Sequence, residues 1–453
     1  MSETTDKKEK IAILGGGWGA VSTALFLTDP KNPKADQYDI TLYQLGWRLG
    51  GKGASGRGEY GRIEEHGLHI WIGFYENSFM AIQEVYEEVQ QYYKEIVPDY
   101  EQCPFKSWRD AFKPHDFIVL MENIEAQWKS WGIHFPTNDE IPGVNPSLYL
   151  TPWEYVKLII GFMHSFYKSS KQAGRETARA EHEGVIERLT DQLKHLEVGI
   201  KTGLLSAGET ILAAAAAIID KAEHAGSADH HKGVLHAIEH FVEWLQHKLA
   251  EDLEGQLNQD DDIRRTAITL VLCGTCLIGM IKEGVLSGKE GLDALDEYDL
   301  REWLRKYDAP EWVVNSAPIQ AMYDLVFGYE NGEISKANFG AGAALRSMVR
   351  IGLTYKGSIF WKMQAGMGDT VFAPPYLVLK GRGVKFEYFN RVKNLGVDPD
   401  SMTINSIDIG VQATLKDGVD EYDPLVICRN LPSWPADPNY DQLEQGEELK
   451  ERG

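Results

Sequence analysis

Residues 10–27 read KIAILGGGWGAVSTALFL. A short apolar run enters a glycine cluster and leaves it with apolar residues at helical spacing. This order predicts strand, tight turn and helix, the opening of a βαβ nucleotide fold. Gly15, Gly17 and Ala20 occupy the three small positions of G-x-G-x-x-G/A, with Trp18 and Gly19 between the last two. Gly15 permits the turn, Gly17 lets a pyrophosphate approach the backbone, and Ala20 lets the helix pack on the strand. The helix N-terminus then faces the phosphates. The alternative is a glycine-rich turn without a ligand, but the strand before and helix after favour dinucleotide binding.

A loop with Pro30 and Pro33 leads to a second strand, YDITLYQ (38–44). An acid is expected at its end to bond ribose hydroxyls, and Gln44 stands there instead. An amide bonds hydroxyls without the charge-assisted strength of a carboxylate, and it does not repel a 2′-phosphate. NADP therefore stays open at this position. Next come Arg48-Leu49-Gly50-Gly51-Lys52 and then EEHGLHIWIGFYENSF (64–79).

At these residues the chain resembles the flavin-containing amine oxidase and phytoene (carotenoid) desaturase superfamily. Its members follow the glycine turn with R-x-G-G-[RK]. The desaturase version adds E-x-G-L-H, an aromatic run and Tyr-x-Asn, matched by Glu65, Gly67, Leu68, His69, Tyr75 and Asn77. EYDLREWLRKYDAPE (297–311) and the GMG…GV-x-F…RV-x-x-L segment (366–395) look like the same family's middle region. The resemblance implies FAD bound in extended form. Gly15, Gly17, Gly19 and Ala20 would hold the pyrophosphate, with Trp18 in the same cofactor-binding turn, and Gln44 the adenosine ribose. Arg48, Gly50, Gly51 and Lys52 would lie along the pyrophosphate and ribityl chain. Gly67, Leu68 and His69 would run beside the isoalloxazine, and the Val392 backbone would meet adenine. The family also carries a C-terminal strand–helix element with an A-G-[DE] signature, which this sequence does not contain. The expectation is a missing C-terminal half or a partner subunit.

The fold class read from the sequence is α/β: a Rossmann-like FAD-binding domain with a largely helical substrate domain inserted. Residues 8–96 are expected to form the N-terminal part of the FAD-binding domain, and 97–335 a mainly helical substrate-binding region. Residues 336–415 are expected to return to the FAD-binding domain. Residues 416–453 read as a polar tail or the start of a missing C-terminal half, and the last stretch, DPNYDQLEQGEELKERG (437–453), as ending without a packed element. Asn77–Lys94 reads as an amphipathic helix, 97–150 shows no clear period, and 153–172, 180–224, 231–256, 263–285 and 297–308 show helical spacing.

Three other constellations compete. His236-Ala237-Ile238-Glu239-His240 spells H-x-x-E-H, which on a helix gives two ligands and a base, but no third ligand follows by spacing. Cys273-Gly274-Thr275-Cys276 is a C-x-x-C inside an apolar run, which suits packed small residues better than a redox pair. His66 and His69 would point to opposite sides of an extended segment, which argues against joint chelation. No metal site is expected. His66 occupies a variable family place, and Glu65 and His69 are catalytic candidates by position only. Trp71, Phe74, Tyr75 and Phe79 read first as core, and part of such a run can also line a substrate path.

The 453 residues carry 68 acids against 46 bases, a formal charge of −22. That argues against a nucleic-acid partner and leaves at most peripheral contact with anionic lipid. Four scattered cysteines give no disulfide framework. The longest apolar run, Ala267–Ile281, falls short of a membrane span, and the N-terminus does not read as a signal peptide. A cytoplasmic protein is expected. Three functions follow: an FAD-dependent oxidoreductase removing hydride from a lipophilic polyene or terpenoid, an FAD-dependent double-bond isomerase, or a non-catalytic nucleotide-binding subunit of a split enzyme.

Overall fold

In the computed structural model, β1 (Glu9–Leu14) and β2 (Tyr38–Tyr43) run parallel, with Ile11 opposite Ile40 and Ile13 opposite Leu42. The described residues are 8–144, 154, 158–159, 161–162, 261–285 and 291–452. Parallel pairing demands a crossover, and α1 (Trp18–Leu27) supplies it. Val21, Ala24 and Leu25 form its buried stripe. A hairpin of β3 (Ser55–Arg57) and β4 (Ile63–Glu65) follows, then β5 (Trp71–Ile72) and α2 (Glu76–Ile96). In α2, Phe79, Ile82, Tyr86, Val89 and Tyr93 recur at helical spacing and are buried. The predicted amphipathic helix is thus present. α3 (Trp108–Ala111), β6 (Phe112–His115) and the hairpin of β7 (Phe117–Ile124) and β8 (Gln127–His134) occupy the stretch without a readable period.

α4 (Asp261–Lys282), α5 (Leu300–Lys306), α6 (Glu311–Val314), α7 (Ala317–Val326) and α8 (Ala341–Leu353) come next. β9 (Phe360–Met363) pairs with both β5 and β6. A π-helical turn, Gly368–Phe372, leads into α9 (Ala373–Gly381). β10 (Lys385–Glu387) then joins β2 in parallel, giving the sheet order β1-β2-β10. β11 (Asn390–Val397) and β12 (Ile404–Val411) form an antiparallel ribbon, β13 (Val426–Cys428) and β14 (Leu431–Ser433) a short hairpin, and α10 (Gly446–Arg452) closes the described chain.

The chain divides into two units. The first holds the described residues up to Asp116, those from Pro136 to 144, and those from Lys356 onward. Its core joins α1, α2 and α9 to the buried face of the β1-β2-β10 sheet through Val21, Leu42, Phe79, Tyr86, Tyr376 and Phe386. The second holds Phe117–Phe135 and the described residues from 154 to Tyr355. Its own core gathers Val271, Leu277, Trp303, Leu304, Val313 and Tyr323. Residues 97–116 thus sit with the nucleotide fold, and α8 sits with the second unit. The first edge differs from the sequence expectation because β6 pairs with the distant β9, and the second because Ala344, Leu345 and Val349 of α8 pack into the core of the second unit.

The expected polar tail is a correction. Residues 416–452 carry β13, β14 and α10, with Tyr422, Leu431 and Trp434 buried, and even the last stretch packs through Leu443 and α10. Such scattered anchors among many charged residues give no period, so the packing is invisible in sequence. Trp434 is fully buried against Tyr376, with ring centroids 5.4 Å apart. The helical readings over 153–172, 180–224 and 231–256 fall almost wholly outside the described residues. Trp434→Ala is expected to cost about 3–5 kcal/mol, the range for truncating a buried aromatic. Chemical denaturation of the full chain checks this, and an unchanged midpoint would show that the C-terminal segment is not part of the core.

Candidate functional site

The glycine turn joins β1 to α1 in the predicted place. Gly15 takes φ +99°, and its N–H donates to the Tyr43 carbonyl at 2.8 Å. Gly17 is the N-cap of α1, with no side chain bonding the first-turn amides and no acid in that turn. The amides of Trp18, Gly19 and Ala20 precede the first intrahelical donor, Val21, so they remain available to an anion. A Cβ at Gly17 or Gly19 would meet nothing within 4 Å, so this side of the turn is open. Trp18 points the other way: its indole N–H donates to Ser78 Oγ, and its ring packs edge-on with Trp71 and Phe372.

The second glycine segment lies directly on the first. The Gly50 N–H donates to the Gly16 carbonyl at 2.8 Å, and Gly17 and Gly50 form a parallel bridge. A Cβ on Gly51 would come 3.3 Å from Gly17 Cα. Gly50 has φ +130°, where a Cβ would also fall 2.4 Å from Ala54 Cα. Arg48 is partly buried and stacks over Trp47 at 5.1 Å. Burial pulls its guanidinium below the usual range, against the opposing charges of Asp437 and Glu64. Among the described residues it makes no hydrogen bond or ion pair. Lys52 is exposed.

Gln44 directly follows β2, with its N–H donating to the Glu387 carbonyl and its own carbonyl receiving the Asn390 N–H at 2.9 Å. Its side-chain oxygen lies over the Gly16 backbone, 2.6 Å from where a Cβ would stand. Val392 sits two residues beyond Asn390 on β11, opposite Ile409. The structure therefore brings the strand-two end, both glycine segments, Arg48 and the start of β11 into one region.

The segment 64–69 is placed differently from the aromatic run behind it. Leu68 is 81% exposed, and Gly67 has open space around it. Trp71 and Phe79 are buried with Phe112 and Trp361, so these two aromatics are core. His66 Nδ1 meets the Ala54 carbonyl at 3.0 Å. His69 Nε2 meets the Lys52 carbonyl at 3.2 Å, and its Nδ1 lies 3.3 Å from Glu65 Oε2. Glu65 Oε1 accepts the Met367 N–H at 2.8 Å.

Sequence reading missed Arg57 and Asp369, a buried ion pair at 2.6 Å that ties β3 to the π-helical turn. Burial pushes the Asp369 carboxyl up, opposed by Arg57. The available signal was a lone acid in the apolar run GMGDTVF, since a buried acid needs a partner. Cys273 and Cys276 lie inside α4 rather than at a helix start, and burial pushes the Cys273 thiol up to about 12 and Cys276 higher still. They are packed thiols, not reactive ones. No cluster of three metal-ligating side chains occurs among the described residues. The H-x-x-E-H segment lies outside those residues, and no described helix is long and apolar enough to cross a membrane.

Residues 13–95 match the model of a family described as an NAD(P)-binding Rossmann-like domain. No curated protein matches the chain. The first segment is therefore a Rossmann-like dinucleotide-binding domain, which points to a redox enzyme using a nucleotide cofactor, FAD or NAD(P). Gly50→Ala should destabilise the chain by about 1–3 kcal/mol through its forbidden φ alone, while Gly67→Ala should leave stability unchanged. Paired melting curves check this, and equal behaviour would contradict the loop geometry.

Proposed function

We propose that the chain is an FAD-dependent oxidoreductase of the amine oxidase and phytoene desaturase kind, acting on a lipophilic substrate such as a polyene or terpenoid. One observation carries the reading: a second glycine segment is hydrogen-bonded to the dinucleotide turn and brings a partly buried Arg48 that makes no hydrogen bond or ion pair among the described residues. The glycine turn alone would serve NAD(P) equally. The added R-x-G-G-K segment extends the anion-binding surface beyond it, as an extended FAD requires. The residues fit that group: open glycines, uncapped amides at α1, and a guanidinium free to meet phosphate oxygens.

When bound, the flavin supplies the hydride-accepting chemistry. The chain's own residues bind and orient. The α1 amides and Arg48 hold the pyrophosphate, Gln44 bonds ribose hydroxyls, and the β11 backbone at Val392 meets adenine. Gly67, Leu68 and His69 run beside the flavin ring. The second unit, with its separate core, is the substrate-binding region in this reading. The substrate class rests on the E-x-G-L-H resemblance. A partner that covers one face of the sheet is part of the proposal too. Among the described residues β1 pairs with β2 alone, and its outer face, with Ala12 and Leu14, is exposed. Parallel strands apolar on both faces are normally covered on both.

The test is an absorption spectrum of the purified full chain, with the mass of any released cofactor. Flavin bands and the mass of FAD are expected, and no flavin absorbance even after incubation with FAD would overturn the reading. Arg48→Ala should weaken FAD binding roughly 10- to 100-fold, the worth of one charge-assisted hydrogen bond. Product mass separates loss of two hydrogens from isomerisation, which leaves mass unchanged.

A further inference from the structure

We infer that Trp18 is a positioning residue, a peg that holds the start of α1 from behind and so keeps its first amides open to the nucleotide. In its ligand-facing part this rests on the dinucleotide reading above. The start of α1 is weak by composition. Gly17 and Gly19 flank Trp18, and only proline is a poorer helix former than glycine. No side chain caps the helix, and its first turn carries no acid. The hydroxyls of Ser22 and Thr23 turn back on the Gly19 carbonyl, at 3.1 and 2.8 Å, which serves an acceptor and leaves the amides alone.

An ordinary cap would mend this at the ligand's expense. A Ser, Thr, Asp or Asn at position 17 would accept from the second or third amide of the helix. Those are the Gly19 and Ala20 amides, the ones a phosphate at this helix start would take. The first turn therefore has to be held by something other than a cap.

Trp18 meets both demands. It is the one residue of 15–19 that is not glycine. Its indole N–H donates to Ser78 Oγ, on α2, at 2.9 Å. Its ring lies edge-on to Trp71 and Phe372, with centroids 5.9 and 6.3 Å away, and both of those rings are buried. Three separate elements, α2, β5 and the π-helical turn, thus grip the first residue of α1. A Cβ at Gly17 or Gly19 would meet nothing within 4 Å, so the grip leaves the ligand side clear. The aromatic contacts supply packing. The N–H bond is directional, and it fixes the indole and with it the backbone of a residue whose own amide is one of the three left free.

Ser78→Ala isolates that bond, because it removes the acceptor and leaves the rings in place. Trp18→Phe removes the donor and keeps a ring beside Trp71 and Phe372. The first readout is amide exchange of the full chain without nucleotide at Val21, whose N–H bonds the Gly17 carbonyl at 3.0 Å and closes the first turn. Exchange there should quicken about fivefold in Ser78→Ala, the worth of one neutral hydrogen bond. The second readout is FAD titration, in which affinity should fall by about the same factor. The double variant should match Trp18→Phe alone, because both changes break one bond. Ser78→Thr keeps the hydroxyl and should restore both readouts. Effects that multiply in the double variant, or Val21 exchange unchanged by Ser78→Ala, would overturn the proposal. So would quicker exchange with unchanged FAD affinity, since the bond would then steady the helix without positioning its ligand. If the wild type binds no FAD, the cofactor reading fails, while Val21 exchange still decides the peg.

Discussion

The hydrogen bond from Gly50 to the Gly16 carbonyl sets the arrangement of the candidate site. It brings two backbones close together, with a Cβ on Gly51 falling 3.3 Å from Gly17 Cα and Gly50 in a conformation that other residues rarely adopt. From that contact the rest follows. The first glycine turn is held against the second, the α1 amides point into the space beside them, and Arg48 is carried to the same region. A side chain at Gly51 would press on the Gly17 backbone and one at Gly50 on Ala54, whereas Gly17 opens onto free space.

Around this backbone contact the chain distributes charge economically. Arg57 and Asp369 pair out of solvent, and Glu65 serves a backbone amide and an imidazole together. Buried charges of this sort contribute little net stability, because desolvation offsets most of the attraction. Their effect is to fix position: each links β3 or β4 to the turn before α9. Arg48 stands apart: among the described residues it makes no hydrogen bond or ion pair, and Asp437 and Glu64 act on it only through space, as suits a residue that meets an anionic ligand.

Much of this was legible in sequence. The β1–turn–α1–β2 order, α2 and the α4 helix are local patterns, fixed by a few neighbouring residues. What stayed hidden depended on long separations. β10 joins β2 across more than 300 residues of chain, α8 sides with the second unit, and Trp434 anchors a stretch that is otherwise polar. No period in the chain announces such partners. In EEHGLHIWIGFYENSF the sequence pointed to Glu65 and His69 by position, but it could not say that Met367 and Lys52 complete their bonding. The aromatics Trp71 and Phe79 read as core from composition, and they are.

The central claim is that both glycine segments and Arg48 hold one dinucleotide. A crystal structure of the full chain grown with FAD tests it most directly. The account predicts pyrophosphate oxygens at about 3 Å from the Gly19 and Ala20 amides and from the Arg48 guanidinium, as charge-assisted hydrogen bonds require. A nucleotide bound elsewhere, or one that contacts the first turn and leaves Arg48 and Gly50–Lys52 untouched, would contradict it.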